Sequence, residues 1–156
     1  MGSPRELDFN GVFGVDSQGK IRLIYDRMDR PNGIAFSPDE SILYVNDTDH
    51  QHILAFSMGK DGSASLTGEF ARLDPSYGNG APDGMKVDVE GNVYVTGPGG
   101  LWVLSPGGVP LVILHTPEFV GNFCFGGKDS RTIFLTASAS IYTVQTEIPG
   151  IVPHRN

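Results

Sequence analysis

The sequence predicts an all-β fold of the β-propeller type, and three observations carry that prediction. A phrase that runs from a small polar residue through a strand, a turn and a second strand occurs three times, at residues 31–46, 82–96 and 121–136. Turn-forming residues are abundant, with 21 Gly and 11 Pro, as in chains of many short strands. No stretch shows the sustained apolar periodicity of an amphipathic helix.

Taken in order, the chain divides into strands separated by Gly, Pro, Asn and Asp. Residues 9–25 form two strands around a turn at 16–20, and we assign them to the end of a preceding blade. Three repeat units follow within a single domain of residues 1–156. They cover residues 31–73, 82–114 and 121–145.

Antiparallel units of about four strands, recurring at roughly 40 to 50 residues, are typical of propeller blades. A β-sandwich or an open barrel would not explain the repeated phrase. Three blades are fewer than the four to eight that usually close a ring. The last unit also lacks a fourth strand, while two strands are left over before the first unit. Such an unclosed array exposes sheet edges and apolar faces.

Charge and composition exclude several partners. The net charge of −7 argues against binding to the phosphates of nucleic acids. No apolar run reaches transmembrane length, so we expect no membrane partner and a cytoplasmic location. The single cysteine, Cys124, lies in an apolar stretch, which favours a buried, inert thiol.

Three polar residues occupy the same place in the repeat. Asn32, Asp83 and Asn122 each stand where the chain enters an inner strand, so a propeller would bring one carboxylate and two amides to one channel mouth. Oxygen ligands of this kind suit a hard divalent cation such as calcium. Asn and Asp also cap turns before strands, which leaves a purely structural role open. His50 and His52 form an H-x-H pattern without an apparent acidic or cysteine partner, so solvated side chains are expected.

Several phrases resemble one known family. They are RPNGIAFSPD at 30–39 with LYVNDT at 43–48, PDGMKVD at 82–88 with VYVTGPGG at 93–100, NFCFGG at 122–127, and FNGVF at 9–13. Together they resemble the gluconolactonase family, which includes regucalcin (senescence marker protein 30). The resemblance covers nearly the whole chain.

The resemblance implies a six-bladed propeller that hydrolyses sugar lactones with one divalent metal in its channel. It implies calcium as the metal, with zinc, magnesium or manganese as alternatives. Asn32 and Asp83 match two of the family's metal ligands, and Asp83 also matches its catalytic base. The family's glutamate ligand and an earlier channel asparagine have no counterpart here, so the chain resembles the C-terminal half of such an enzyme.

We therefore expect a metal-dependent hydrolase that opens small-molecule sugar lactones with activated water. Two copies of the chain would complete a six-bladed ring as a homodimer. The alternative is a truncated, non-catalytic half-propeller that acts as an interaction module or needs a second chain.

Overall fold

The computed structural model describes residues 6–151, which form strands joined by short turns. Within those residues the only helical segment is a 3-10 turn at Pro75–Tyr77, and none is long and apolar enough to cross a membrane. The strands are β1 Asn10–Val15, β2 Ile21–Met28, β3 Pro31–Phe36, β4 Ile42–Asp47, β5 His52–Met58, β6 Ala64–Arg72, β7 Met85–Val87, β8 Val93–Gly97, β9 Gly100–Leu104, β10 Pro110–His115, β11 Val120–Gly126, β12 Thr132–Ala137 and β13 Ile141–Gln145.

The strands form four antiparallel sheets in which neighbours in sequence pair with each other. The first sheet contains only β1 and β2, the second β3 to β6, the third β7 to β10, and the fourth β11 to β13. Meandering sheets of this kind are the blades of a propeller. The structure confirms the predicted fold class, a partial propeller of all-β architecture in which β3, β7 and β11 are the innermost strands of their blades.

The sheets pack face to face, so each interface is a separate hydrophobic core. Between the second and third sheets, a cluster centred on Tyr44, Leu73 and Trp102 is almost completely shielded from water. The third and fourth sheets meet through a second cluster, and the first and second sheets through another cluster that includes Val12 and Phe56. Because every blade buries its faces only against its neighbours, nothing within residues 6–151 covers the outer faces of the first and last sheets.

Aspartates close the turns at the end of the channel opposite the mouth. Asp39 accepts the backbone N–H of Ser41 at 3.1 Å, and Asp88 accepts that of Asn92 at 2.9 Å. Asp129 plays the same part in the third repeat, where it accepts a backbone N–H at 3.2 Å. These aspartates therefore shape the turns between the first two strands of each repeat.

The segment after β13 returns to the innermost strand of the third sheet. The N–H of Val89 donates to the carbonyl of Pro149 at 3.0 Å, and the N–H of Ile151 donates to that of Val87 at 3.1 Å. Gly150 lies against the Phe125 ring, where a Cβ would overlap it. We call residues 149–151 the C-terminal clasp. Its hydrogen bonds join the segment that follows the fourth sheet to β7 and the turn after it, at the end of the channel opposite the mouth.

A buried carboxylate fixes the loop that leads into β3. Asp47, at the end of β4, is fully shielded from water. Burial alone would raise the pKa of Asp47, but four backbone N–H donors outweigh it and lower that pKa below its ordinary value. These donors belong to Asp29 at 2.8 Å, Asp49 at 3.0 Å, His50 at 3.2 Å and Arg30 at 3.3 Å.

Replacing this carboxylate should cost stability in a pH-dependent way. Because the folded pKa of Asp47 lies below the unfolded value, its contribution is present above the unfolded pKa of about 3.9 and is lost as pH falls through the folded pKa. We expect Asp47→Asn to lower the free energy of unfolding at pH 7 by about 1.5–3 kcal/mol and to weaken its acid dependence. Urea unfolding at pH 7 and at pH 3 measures both effects.

The matched control is Asp49→Asn, since Asp49 is an exposed side chain in the same loop. That change should stay within about 0.5 kcal/mol. Equal losses in the two variants would contradict the role given to the Asp47 carboxylate.

Candidate active site

The loops that lead into the innermost strands lie together at one end of the sheets, the channel mouth. The N–H of Gly84, just before β7, donates to the carbonyl of Gly121 in β11 at 2.9 Å. The N–H of Thr96, near the end of β8, donates to the carbonyl of Gly84 at 3.0 Å. Strand order alone therefore brings the starts of inner strands and the ends of second strands to the same place, as the repeat predicts.

Asn32 and Asp83 stand on neighbouring blades of this mouth. The Asn32 amide nitrogen donates to the hydroxyl of Thr48 at 3.2 Å, which leaves the Asn32 carbonyl oxygen for another partner. The Thr48 hydroxyl in turn donates to the carbonyl of Pro82 at 2.7 Å, next to Asp83. Asp83 is half-buried, and within residues 6–151 no donor binds its carboxylate. One carboxylate oxygen lies 3.6 Å from the position that a Cβ on Gly121 would occupy.

The side chain of Asn46 connects the same two blades at a deeper level. Asn46 is fully buried at the end of β4; its carbonyl oxygen accepts the N–H of Gly33 at 3.0 Å, and its amide nitrogen donates to the carbonyl of Asp83 at 2.8 Å. A side chain at position 33 would overlap the Asp83 carbonyl, so glycine is required for this close approach. Asn46 therefore sets the position of Asp83 relative to the first repeat.

Asn122, the third predicted mouth residue, presents its amide nitrogen rather than its carbonyl oxygen. Its carbonyl oxygen accepts the N–H of Phe123 at 2.8 Å and lies 3.5 Å from the ammonium of Lys86. Two donors therefore already use the oxygen that a cation would need. The amide nitrogen of Asn122 is the group that remains for a ligand.

The mouth residues fit a hard divalent cation in kind. Asp83 supplies a carboxylate and Asn32 an amide carbonyl, which are oxygen ligands of the type calcium prefers. Calcium takes six to eight oxygens, so the rest would come from water, from a ligand or from another chain. Within the described part of the chain, no group of three or more His, Cys, Asp and Glu side chains is arranged to hold a metal.

Two cavities are lined by residues of the inner strands and of the loops between strands. One of about 520 Å³ follows the channel side of β3, β7 and β11, and Lys86 and Cys124 contribute to its wall. Another of about 300 Å³ lies at the mouth between the 97–100 loop and residues 116–120, with Asn79 at its edge. The Asn79 carbonyl accepts the N–H of Gly99 at 2.9 Å, so the connection between β6 and β7 forms one side of this second cavity.

Two expectations about isolated residues are wrong. His50 and His52 do have acidic partners, since their ring nitrogens lie 3.0 Å from Asp29 and Glu69 respectively. Cys124 is exposed rather than buried, because β11 alternates and turns its neighbours into the core while the thiol faces the channel.

A meander of antiparallel blades with polar residues where its inner strands begin defines a β-propeller with a site at the channel mouth. A profile of the SMP-30/Gluconolactonase/LRE-like region matches residues 1–139. The chain belongs to this family, as its sequence resemblance implies.

The chain is also similar to individual gluconolactonases. A gluconolactonase of Zymomonas mobilis is 35% identical over 154 residues, which cover 94% of this chain and 43% of that protein. The solved structure of a gluconolactonase from Xanthomonas campestris superposes with a TM-score of 0.79 at 28% identity, covering 96% of this chain and 47% of the other.

A calcium-binding protein, regucalcin from Agrobacterium tumefaciens, shares the fold with a TM-score of 0.74 at 20% identity, over 90% of this chain and 54% of its own. The chain thus spans about half the length of the relatives it matches.

Sequence reasoning singled out Asn32, Asp83 and Asn122 but assigned no role to Asn46 or Lys86. The repeat places Asn46 only at the end of its first copy, and its partner Asp83 is distant in sequence. The signal for Lys86 was the alternation of β7, because a residue between the buried Met85 and Val87 must face the channel.

Removing the Asn46 side chain should loosen the mouth. Asn46→Ala leaves the Gly33 N–H and the Asp83 carbonyl without their partner in a buried place, so we expect a loss of about 2–4 kcal/mol in unfolding free energy. Thr136→Val is the control, since Thr136 occupies the equivalent position but is exposed and bonds only within its own sheet. Thermal or urea unfolding of both variants measures the difference in unfolding free energy. A loss as small for Asn46→Ala as for Thr136→Val would show that Asn46 does not connect the two blades.

Proposed function

We propose that this chain supplies the base-bearing half of a sugar-lactone hydrolase. The observation that carries the proposal is the half-buried Asp83 carboxylate, which stands at the mouth with no donor bound to it among the described residues, in a chain of the gluconolactonase family. A carboxylate held in this way is available to accept a proton from water.

In the proposed reaction, water attacks the lactone carbonyl and the acyl bond to the ring oxygen breaks. Asp83 accepts a proton from the attacking water and returns it to the ring oxygen, which leaves as a hydroxyl. Asn32 and Asp83 would hold a divalent cation, which would polarise the carbonyl and lower the pKa of water when bound. Calcium is our first choice for this cation, with zinc, magnesium and manganese as alternatives. Asn46 orients Asp83 through its backbone carbonyl, and the amide nitrogen of Asn122 is placed to donate to a sugar oxygen.

Asp83→Asn should remove hydrolysis while leaving the fold intact. We expect the rate of acid release from glucono-1,5-lactone to fall at least about 100-fold in a pH-stat assay with calcium present, because the amide accepts no proton. Asp129→Asn changes a turn aspartate of the third repeat and should keep its rate. Unchanged hydrolysis by Asp83→Asn, above the spontaneous rate, would show that the base is another group.

A second candidate rests on the uncovered outer face of the β1–β2 sheet. Phe13 pairs with Leu23 and Val15 with Ile21, and these four side chains are 42%, 47%, 67% and 66% exposed in that order. An apolar surface of this kind marks an interaction site. We propose that a second chain covers it, either to complete a catalytic ring or as the function of a non-catalytic interaction module. The partner we favour is a second copy of this chain.

If a second copy covers this face, the protein in solution should have twice the mass of the 16.7 kDa chain. Light scattering during gel filtration measures that mass. Leu23→Lys places a charge on the face and should yield monomers. Val109→Lys is the control, because Val109 is a comparably exposed apolar residue in a turn of another sheet. A monomer at every concentration would exclude the homodimer.

A further inference from the structure

Lys86 is a half-buried cation on the channel side of the innermost strand β7. Its neighbours Met85 and Val87 are both buried in the core between sheets, so strand alternation turns Lys86 to the opposite side. That side is the wall of the 520 Å³ cavity, which is otherwise mostly apolar. An unpaired positive charge in an apolar wall is unexpected here, because the chain has a net charge of −7 and many carboxylates that could pair with it.

None of the ion pairs among residues 6–151 involves Lys86. The ammonium instead makes neutral contacts: the Asn122 carbonyl oxygen at 3.5 Å, its neighbouring Met85 carbonyl at 3.0 Å, and the face of the Phe123 ring, whose centroid is 5.4 Å away. Burial lowers the pKa of Lys86, because a charge taken out of water without an anion is disfavoured. Glu40 also lines the cavity but lies in the turn at the far end of β3.

The Lys86 ammonium contacts a residue of the channel mouth, Asn122. The Asn122 oxygen that it contacts is packed directly against Gly84, the residue that follows Asp83. The backbone bond between Gly84 and Gly121 fixes the two strands at this level. An anion that approached the ammonium would therefore lie beside Asn122, one of the three mouth residues.

We propose that Lys86 binds the carboxylate of the open-chain sugar acid, and so makes this chain selective for aldonates. The identity of the ligand rests on the proposed lactone hydrolysis. In that reaction, addition of water across the acyl bond gives a hydroxyl from the ring oxygen and a carboxylic acid, which releases its proton to become a carboxylate. Lys86 forms an ion pair with this carboxylate and takes no part in bond making. The neighbouring Asn122 amide nitrogen can donate to the same group.

Gluconate and glucitol test the proposal, since they differ at one end by a carboxylate in place of a hydroxymethyl group. Titration calorimetry with a chelator present removes any contribution from a metal. We expect gluconate to bind at least about tenfold more tightly than glucitol at low salt, and the preference to shrink as salt rises. Lys86→Met should abolish the preference and Lys86→Arg should keep it. Lys128→Met, at an exposed turn lysine, should leave it unchanged.

Cys124 gives a second measurement that needs no turnover. It is the only cysteine of the chain and lines the same cavity, so gluconate should slow its alkylation by iodoacetamide in the original protein but not in Lys86→Met. Urea unfolding shows separately whether Lys86→Met still folds.

Two results would overturn the proposal. They are equal binding of gluconate and glucitol by the original chain, and an undiminished preference for gluconate in Lys86→Met. The binding test is independent of hydrolysis. A Lys86-dependent preference without lactonase activity would refute the proposed hydrolysis but support the anion site. Lactonase activity without that preference would support the hydrolysis but refute the anion site.

Discussion

The amide of Asn46 is the interaction on which the geometry of the mouth depends. It is buried between two blades and bonds to the N–H that starts one inner strand and to the carbonyl just before the next. A hydrogen-bonded side chain in a low-dielectric interior is costly to displace, so the spacing of the two blades at this end is well defined. Glycine at position 33 is part of the same constraint, because any side chain there would push the Asp83 carbonyl away.

Most of the fold was predictable because its signals are local. Turn residues divide the chain into short strands, and the repeated phrase indicates blades rather than a sandwich. The sequence does not predict the C-terminal clasp, since Pro149 and Gly150 are residues typical of a break between strands. Their partners lie in another blade, and such a pairing leaves no local pattern in the sequence.

The site was predictable only at the level of positions. Repeat spacing brings Asn32, Asp83 and Asn122 to one mouth, but it does not say which atom each side chain presents. Asn122 shows the difference, because its oxygen is used by a backbone N–H and by Lys86. Cys124 shows it again: two flanking phenylalanines predicted burial, yet both point into the core and leave the thiol on the other side. The metal and base roles of Asn32 and Asp83 remain predictions.

The C-terminal clasp also bears on the order in which the molecule assembles. Every sheet pairs strands that are neighbours in sequence, so each can form early with little loss of chain entropy. The bonds of Val89 and Ile151 instead join distant parts of the chain and require the third and fourth sheets to be stacked first. The clasp is therefore expected to form last during folding and to open first during unfolding. The end of the channel opposite the mouth would then have the lowest local stability of the described structure.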